Sequence, residues 1–144
     1  DILVNDRKIA GILIENILRG SFIQSSVVGV GININQQSFF NVDKQVASLG
    51  ILLQKDCELK EMLRVFCKHF EALYLSLKQS NYDKISLAYF KQLHKFNEWA
   101  NYQSKEQKFR AKITKVEENG LLVLTTEQNE VLKFNFKEVQ LTDY

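Results

Sequence analysis

The sequence contains no proline, two cysteines, one methionine and one tryptophan in 144 residues. Two cysteines ten positions apart do not build a disulfide framework. No apolar run approaches the roughly 18 residues of a membrane span, and no secretory leader is visible. The charge imbalance is small, a formal +2, too little by itself to imply a nucleic-acid or membrane partner. There is no G-x-x-x-x-G-K-[ST] loop. A G-x-G-x-x-G reading of Gly29 and Gly31 fails, because the third glycine would fall at Ile34. Cys57, Cys67 and His69 have no recognised zinc spacing. No Ser/His/Asp set, carboxylate pair, internal repeat or low-complexity tract stands out. What remains is 45% apolar and 25% charged, the make-up of an ordinary globular chain able to bury a core.

The pattern predicts two regions. In the first, Ile2 to Val4 is a short strand and Asn5-Asp6 a turn. Ile9 to Ile14 is continuously apolar and reads as a strand buried on both faces. Arg19-Gly20-Ser21 turns the chain into a third strand, Phe22 to Asn35, completing an antiparallel meander. Gln36 to Gln54 is mixed, with a helical turn at Val46 to Leu49. Asp56 to Leu77 repeats apolar residues at steps of three and four, a long helix with Asp56 as N-cap and Cys67 on its core stripe. A second helix runs from Tyr82 to His94. His69 is read as solvated, and His94 as a favourable cation near a helix end.

The second region starts near Ala100 to Lys105, a polar stretch without apolar periodicity. Strands are predicted at 108–116, 121–126, 130–136 and 139–141, with Asn119-Gly120 as a hairpin signal. Together they read as a small barrel. Trp99 is expected between helices and barrel.

The third strand carries the sharpest chemical signal. Alternation puts Val28, Val30, Ile32 and Ile34 on one face, read as core. The other face carries Val27, Gly29, Gly31, Asn33 and Asn35. Two glycines at spacing two leave bare backbone, which suits a flat ligand or another backbone, or else admits a bulge or an aromatic ring. A carboxamide beside it can donate and accept at once, which suits the edge of a purine or an amide. Lys8, at the mouth of the 9–14 strand, either meets a phosphate or carboxylate or is a solvated strand-end charge. Glu15 is equally ambiguous, and Asp1 alone reads as a surface carboxylate. Cys57 sits at a helix start with no base or metal partner evident.

These segments resemble a known family. Asp1-Ile2-Leu3-Val4-Asn5-Asp6-Arg7-Lys8-Ile9-Ala10-Gly11-Ile12-Leu13-Ile14-Glu15 resembles the biotin protein ligase segment K-W-P-N-D, hairpin, K-x-A-G-I-L-x-E. Val28-Gly29-Val30-Gly31-Ile32-Asn33-Ile34-Asn35 resembles that family's V-G-I-G-I-N-x-N strand. Ala47-Ser48-Leu49, two helices and a small terminal module follow in the family's order. The resemblance implies an α+β fold: an incomplete central mixed or antiparallel sheet with helices on one side, then a Src-homology-3-like barrel. Residues 1–100 would be the C-terminal part of the catalytic domain and 101–144 the barrel.

The activity it implies is a two-step ligation. Biotin and ATP, with Mg²⁺, give biotinyl-adenylate and pyrophosphate; the acyl group then passes to a lysine of biotin carboxyl carrier protein. By the same resemblance Lys8 contacts the biotin carboxylate and the adenylate phosphate, and Gly11 lines the biotin pocket. Gly29 and Gly31 lie beneath the adenylate, Asn33 reads the adenine edge, and Asp1 stands where the acceptor lysine enters. The family's G-R-G-R-x-G-R loop and the K-W-P-N before Asp1 have no counterpart here and are expected upstream, as part of the same catalytic domain. Some members carry a basic residue facing the nucleotide at about the position of Thr142. The expected setting is cytoplasmic, with no membrane and no nucleic-acid partner for this segment. Two competing readings are a non-catalytic protein-binding module and a lipoate ligase or transferase; the paired motifs favour the biotin branch over the latter.

Overall fold

The computed structural model describes residues 1–40 and 45–142. Among the described residues it is an α+β chain with two antiparallel sheets and three helices, and it divides into two compact units, Asp1–Leu75 and Ser76–Tyr144. Among the described residues no helix is long and apolar enough to cross a membrane.

In the first unit the strands β1 (Ile2–Val4), β2 (Arg7–Arg19) and β3 (Phe22–Ile32) form a meander in the order β1-β2-β3. Asn5 and Asp6 both take positive φ, 50° and 60°, between the paired residues Val4 and Arg7. That is the two-residue hairpin connection that matches strand twist, and Asn and Asp tolerate it best after glycine. Gly20, at φ +62°, makes the tight β2–β3 turn.

Burial along β2 departs from expectation. Ile9 and Ala10 are buried, but Leu13 is 64% and Ile14 56% exposed. The strand is therefore not buried on both faces in this chain. β1 flanks only its first residues, so the outer part of the β2–β3 ribbon stands uncovered. The Val28–Val30–Ile32 face is likewise half-exposed rather than core.

The helix α1 (Leu49–Leu53) starts later than the expected turn; Val46 makes a strand-like bridge instead. Ser48 caps it, its Oγ accepting the Ile51 N–H. The long helix α2 spans Leu59–Lys78. Asp56 is not its cap: the Glu58 carboxylate accepts the Glu61 N–H at 2.8 Å. The apolar stripe is present, but no α2 residue is buried, and Cys67 is exposed rather than in a core. α3 covers Tyr82–Gln92.

The second sheet contains β4 (Trp99–Ser104), β5 (Gln107–Val116), β6 (Leu122–Thr126), β7 (Val131–Phe134) and β8 (Gln140–Leu141), in the order β7-β6-β5-β4-β8. Among the described residues no β7–β8 pairing closes it into a barrel. β4 occupies the stretch read as polar connection, where alternation does exist: Ala100 and Tyr102 are buried, flanking the exposed Asn101. They pack with Ala111, Ile113 and Leu124, and Tyr102, Phe109 and Phe134 stack in sequence across the same core. Trp99 is 43% exposed, its ring under the Lys112 ammonium, so it does not fill a core. Leu124 is fully buried. Leu124→Ala is expected to destabilise this unit by about 2–5 kcal/mol, read as a lowered urea midpoint at unchanged slope.

Around Asn119-Gly120 the connection has three residues. Glu117 N–H donates to Leu121 O, Gly120 N–H donates to Glu117 O, and Gly120 takes φ +88°. Lys133 Nζ lies 2.8 Å from Glu117 Oε1. The hydrogen bond from Lys133 holds the Glu117 carboxyl below the ordinary carboxylate range against partial burial, with the charges of Lys133 and Lys115 adding to it. The folded value lies below the unfolded one. The pair's contribution is therefore present above the unfolded value and is lost as pH falls through the folded value. Lys133→Met should move the Glu117 titration upward, as followed by its carboxyl carbon resonance; an unmoved curve would contradict the assignment.

Candidate functional site

Lys8 and Gly11 are three residues apart, and strict alternation would put them on opposite faces of β2. The structure brings them together through a bulge. Leu3 pairs with Lys8, yet Ile2 pairs with Ala10, so Ile9 is an extra residue on β2. Partners across a ladder share a face. Lys8 therefore shares a face with Leu3, Ala10 shares the other with Ile2, and Gly11 returns to the side of Lys8. A Cβ built on Gly11 would lie 3.6 Å from Lys8 Nζ and 3.8 Å from Asp1 Oδ1. The two charged groups meet at 2.7 Å above that glycine. Both side chains are 35% exposed. In that degree of solvent contact the pair adds little stability, and an incoming anion can compete with Asp1 for the ammonium.

The backbone of Lys8 is held on its other edge. Its N–H donates to Gln45 O at 2.9 Å, its carbonyl accepts from Ala47 N–H at 2.9 Å, and Val46 forms a parallel bridge to it. This clamp has no periodic signature, since a loop rather than a strand supplies it. Ala47 and Ser48, fully buried, anchor the clamp; Ser48 Oγ donates to Gln36 O.

Gly31 pairs with Gly11, and Gly29 with Leu13, so all four positions share the face of Lys8. Above Gly31 a Cβ would meet no atom within 4 Å, and above Gly29 only Leu13 O at 3.8 Å. Three glycines thus make a floor of bare backbone ending in an ion pair. The Gly11–Gly31 pair is open to a planar group, with the exposed Leu13 side chain rising on the same face beside Gly29.

Asn33 stands just past the end of β3 as a junction. Its N–H donates to Ile9 O, its carbonyl accepts from Leu49 N–H, and its Nδ2 donates to Ala47 O at 3.2 Å. The amide donor is committed to the clamp, and no described residue engages Oδ1, which is left as an acceptor. Asn35 has a different task. It donates from Nδ2 to Cys57 O at 2.8 Å and accepts the Cys57 N–H on Oδ1 at 2.9 Å. That two-point lock fixes the entry to α2 and removes Asn35 from the ligand face. Cys57 is buried in the lock, and His69 is exposed. Among the described residues no group of three His, Cys, Asp or Glu side chains is placed to hold a metal ion.

A glycine-floored antiparallel sheet, a lysine turned onto it by a bulge, helices and a second small sheet make up an α+β fold. Solved structures of biotin protein ligase from Aquifex aeolicus share this fold. The apo structure superposes with a TM-score of 0.72 at 20% identity, covering 98% of this chain and 61% of that one. The structure in complex with biotin and ATP superposes with a TM-score of 0.71 at 20% identity, covering 98% of this chain and 58% of that one. The chain therefore spans about three-fifths of the solved ligases it matches. No protein-family model matches the chain. No curated protein matches it.

Proposed function

We propose that this chain supplies the C-terminal part of a biotin protein ligase. In this reading a biotin carboxylate oxygen attacks the α-phosphorus of ATP and expels pyrophosphate. The ε-amine of a lysine on biotin carboxyl carrier protein then attacks the biotinyl carbonyl. AMP leaves, the nitrogen gives up a proton, and an amide remains. The observation that carries the reading is the Lys8 ammonium held over Gly11 at the head of the glycine floor. A fixed cation there stabilises the negative charge that develops where carboxylate and phosphate meet. Gly11 gives biotin access to backbone, and Gly29 and Gly31 lie under the adenylate. Asn33 offers Oδ1 to the adenine amino group while its Nδ2 holds the clamp. Asp1, already on Lys8, stands where the acceptor amine approaches. Mg²⁺ arrives as the ATP complex, which usually keeps its metal on phosphate oxygens and water.

The second sheet, β4 to β8, forms a Src-homology-3-like module and the residues before it the catalytic share, working in the cytoplasm. The phosphate-clamping loop belongs to an upstream part of the same catalytic domain. That part also covers the apolar faces left open on β2, β3 and α2. The test is biotin-dependent ATP–pyrophosphate exchange by the complete ligase, with this chain alone as the comparison. Exchange by the complete ligase and near-silence from the chain alone support the reading. Absence of exchange from the complete ligase overturns it.

A further inference from the structure

β3 pairs with β2 as far as Ile32, and Asn33 adds one bond more, from its N–H to Ile9 O at 2.8 Å. One residue nearer the start of β2, the neighbour on that edge is no longer β3 but Val46, bridged to Lys8. Asn33 stands at the fork between these two neighbours. Its main chain holds both branches, the N–H on Ile9 O and the carbonyl on the Leu49 N–H at 3.0 Å. Its side chain adds a third tie, from Nδ2 to Ala47 O at 3.2 Å. Ala47 is fully buried and gripped at both ends: Asn33 Nδ2 takes its carbonyl, and its N–H donates to Lys8 O. A carbonyl oxygen can only accept, so the nitrogen of the Asn33 amide must face inward. A carboxamide that served only to read an adenine edge would present donor and acceptor together; here the donor is spent on the segment beside Lys8.

We propose that the Asn33 carboxamide is a positioning residue for Lys8: it fixes the Ala47 segment against the Lys8 backbone and so sets where the ammonium stands over Gly11. The proposal rests on the ligase reading, in which Lys8 meets the biotin carboxylate. The Lys8 side chain is long and 35% exposed, so packing does not lock it. Its reach is set by how its backbone is held, and a loop segment alongside that backbone needs anchoring that a strand draws from its own ladder. One amide group thereby serves both substrates. Oδ1 is offered to adenine, while Nδ2 supports the cation on which the acid binds.

Equilibrium titration of the complete ligase with biotin, in the absence of nucleotide, tests this, with biotin methyl ester as an uncharged probe. Asn33→Ala should weaken biotin roughly tenfold, the scale of one lost hydrogen bond, and leave the ester within about twofold, because the ester presents no carboxylate to Lys8. With no nucleotide present, an amide that serves adenine alone would leave both affinities unchanged, and that result overturns the proposal. Equal losses for both probes also overturn it, since they mark a general loosening of the pocket. In a Lys8→Ala background the Asn33 substitution should cost no further biotin affinity; additive losses count against the proposal in the same way. If the unaltered ligase binds neither probe, the ligase reading itself fails. Amide hydrogen exchange in the same unliganded protein then decides the support separately. Faster exchange at the Lys8 and Ala47 N–H groups of Asn33→Ala supports it, and unchanged exchange there overturns it.

Discussion

Replacing Lys8 by alanine is expected to lower biotin-dependent ATP–pyrophosphate exchange in the complete ligase by about 10²–10³-fold. The ammonium lies over bare backbone at Gly11, with one carboxylate partner at 2.7 Å. Its loss removes a fixed positive charge at the reacting centre and leaves the fold almost untouched, since a pair so exposed adds little stability. Lys8→Arg should rescue only part of the rate. A planar fork cannot occupy the place of a compact ammonium above a strand without displacing its neighbours. Asp1→Asn should keep more activity than Lys8→Ala, because the cation remains. Wild-type exchange in the alanine variant would remove Lys8 from the mechanism.

The second large effect is expected at Gly31. A valine there meets no protein atom at its Cβ, and β-branched residues suit a strand, so the thermal midpoint should stay within a few degrees of wild type. Yet the isopropyl group would rise from the floor on which the proposed function lays the adenylate. Affinity for biotinyl-adenylate should fall by roughly 100-fold or more, since overlap of bulk with bulk forces the ligand off its contacts. Calorimetric titration with the adenylate and a melting curve read the two quantities independently. Retained affinity would show that nothing rests on the glycines. A collapse of stability would show instead that they serve packing.

The meander, the long amphipathic helix and most of the second sheet were legible because each follows from short-range pattern. Asn5-Asp6 and Asn119-Gly120 marked turns, and steps of three and four marked α2. β4 was missed because its inward residues, Ala100 and Tyr102, are one small and one hydroxylated, which hid an alternation present all along. Burial was misjudged for β2 and for Cys67. Periodicity says which face is apolar, but not whether anything lies against it. At the site, the glycine face was visible in the pattern. The convergence of Lys8 with Gly11 was not, because it depends on one unpaired residue in a ladder. The tasks of Asn33 and Asn35 also diverge for a non-local reason: one holds the segment at Ala47, the other the backbone of Cys57.

The surplus residue at Ile9 has a consequence for insertions and deletions. Upstream of it, the facing of every side chain in the β1–β2 hairpin is reckoned in one phase; downstream, in the opposite phase. Removing Ile9 would leave Lys8 two positions before Gly11 in a regular ladder, so both would stay on one face; inserting one residue into β1 opposite Ile9 would instead regularise the ladder at its present length and send the ammonium to the far side of the sheet from Gly11. Chain length at this point is therefore as much a determinant of the chemistry as the identity of the lysine.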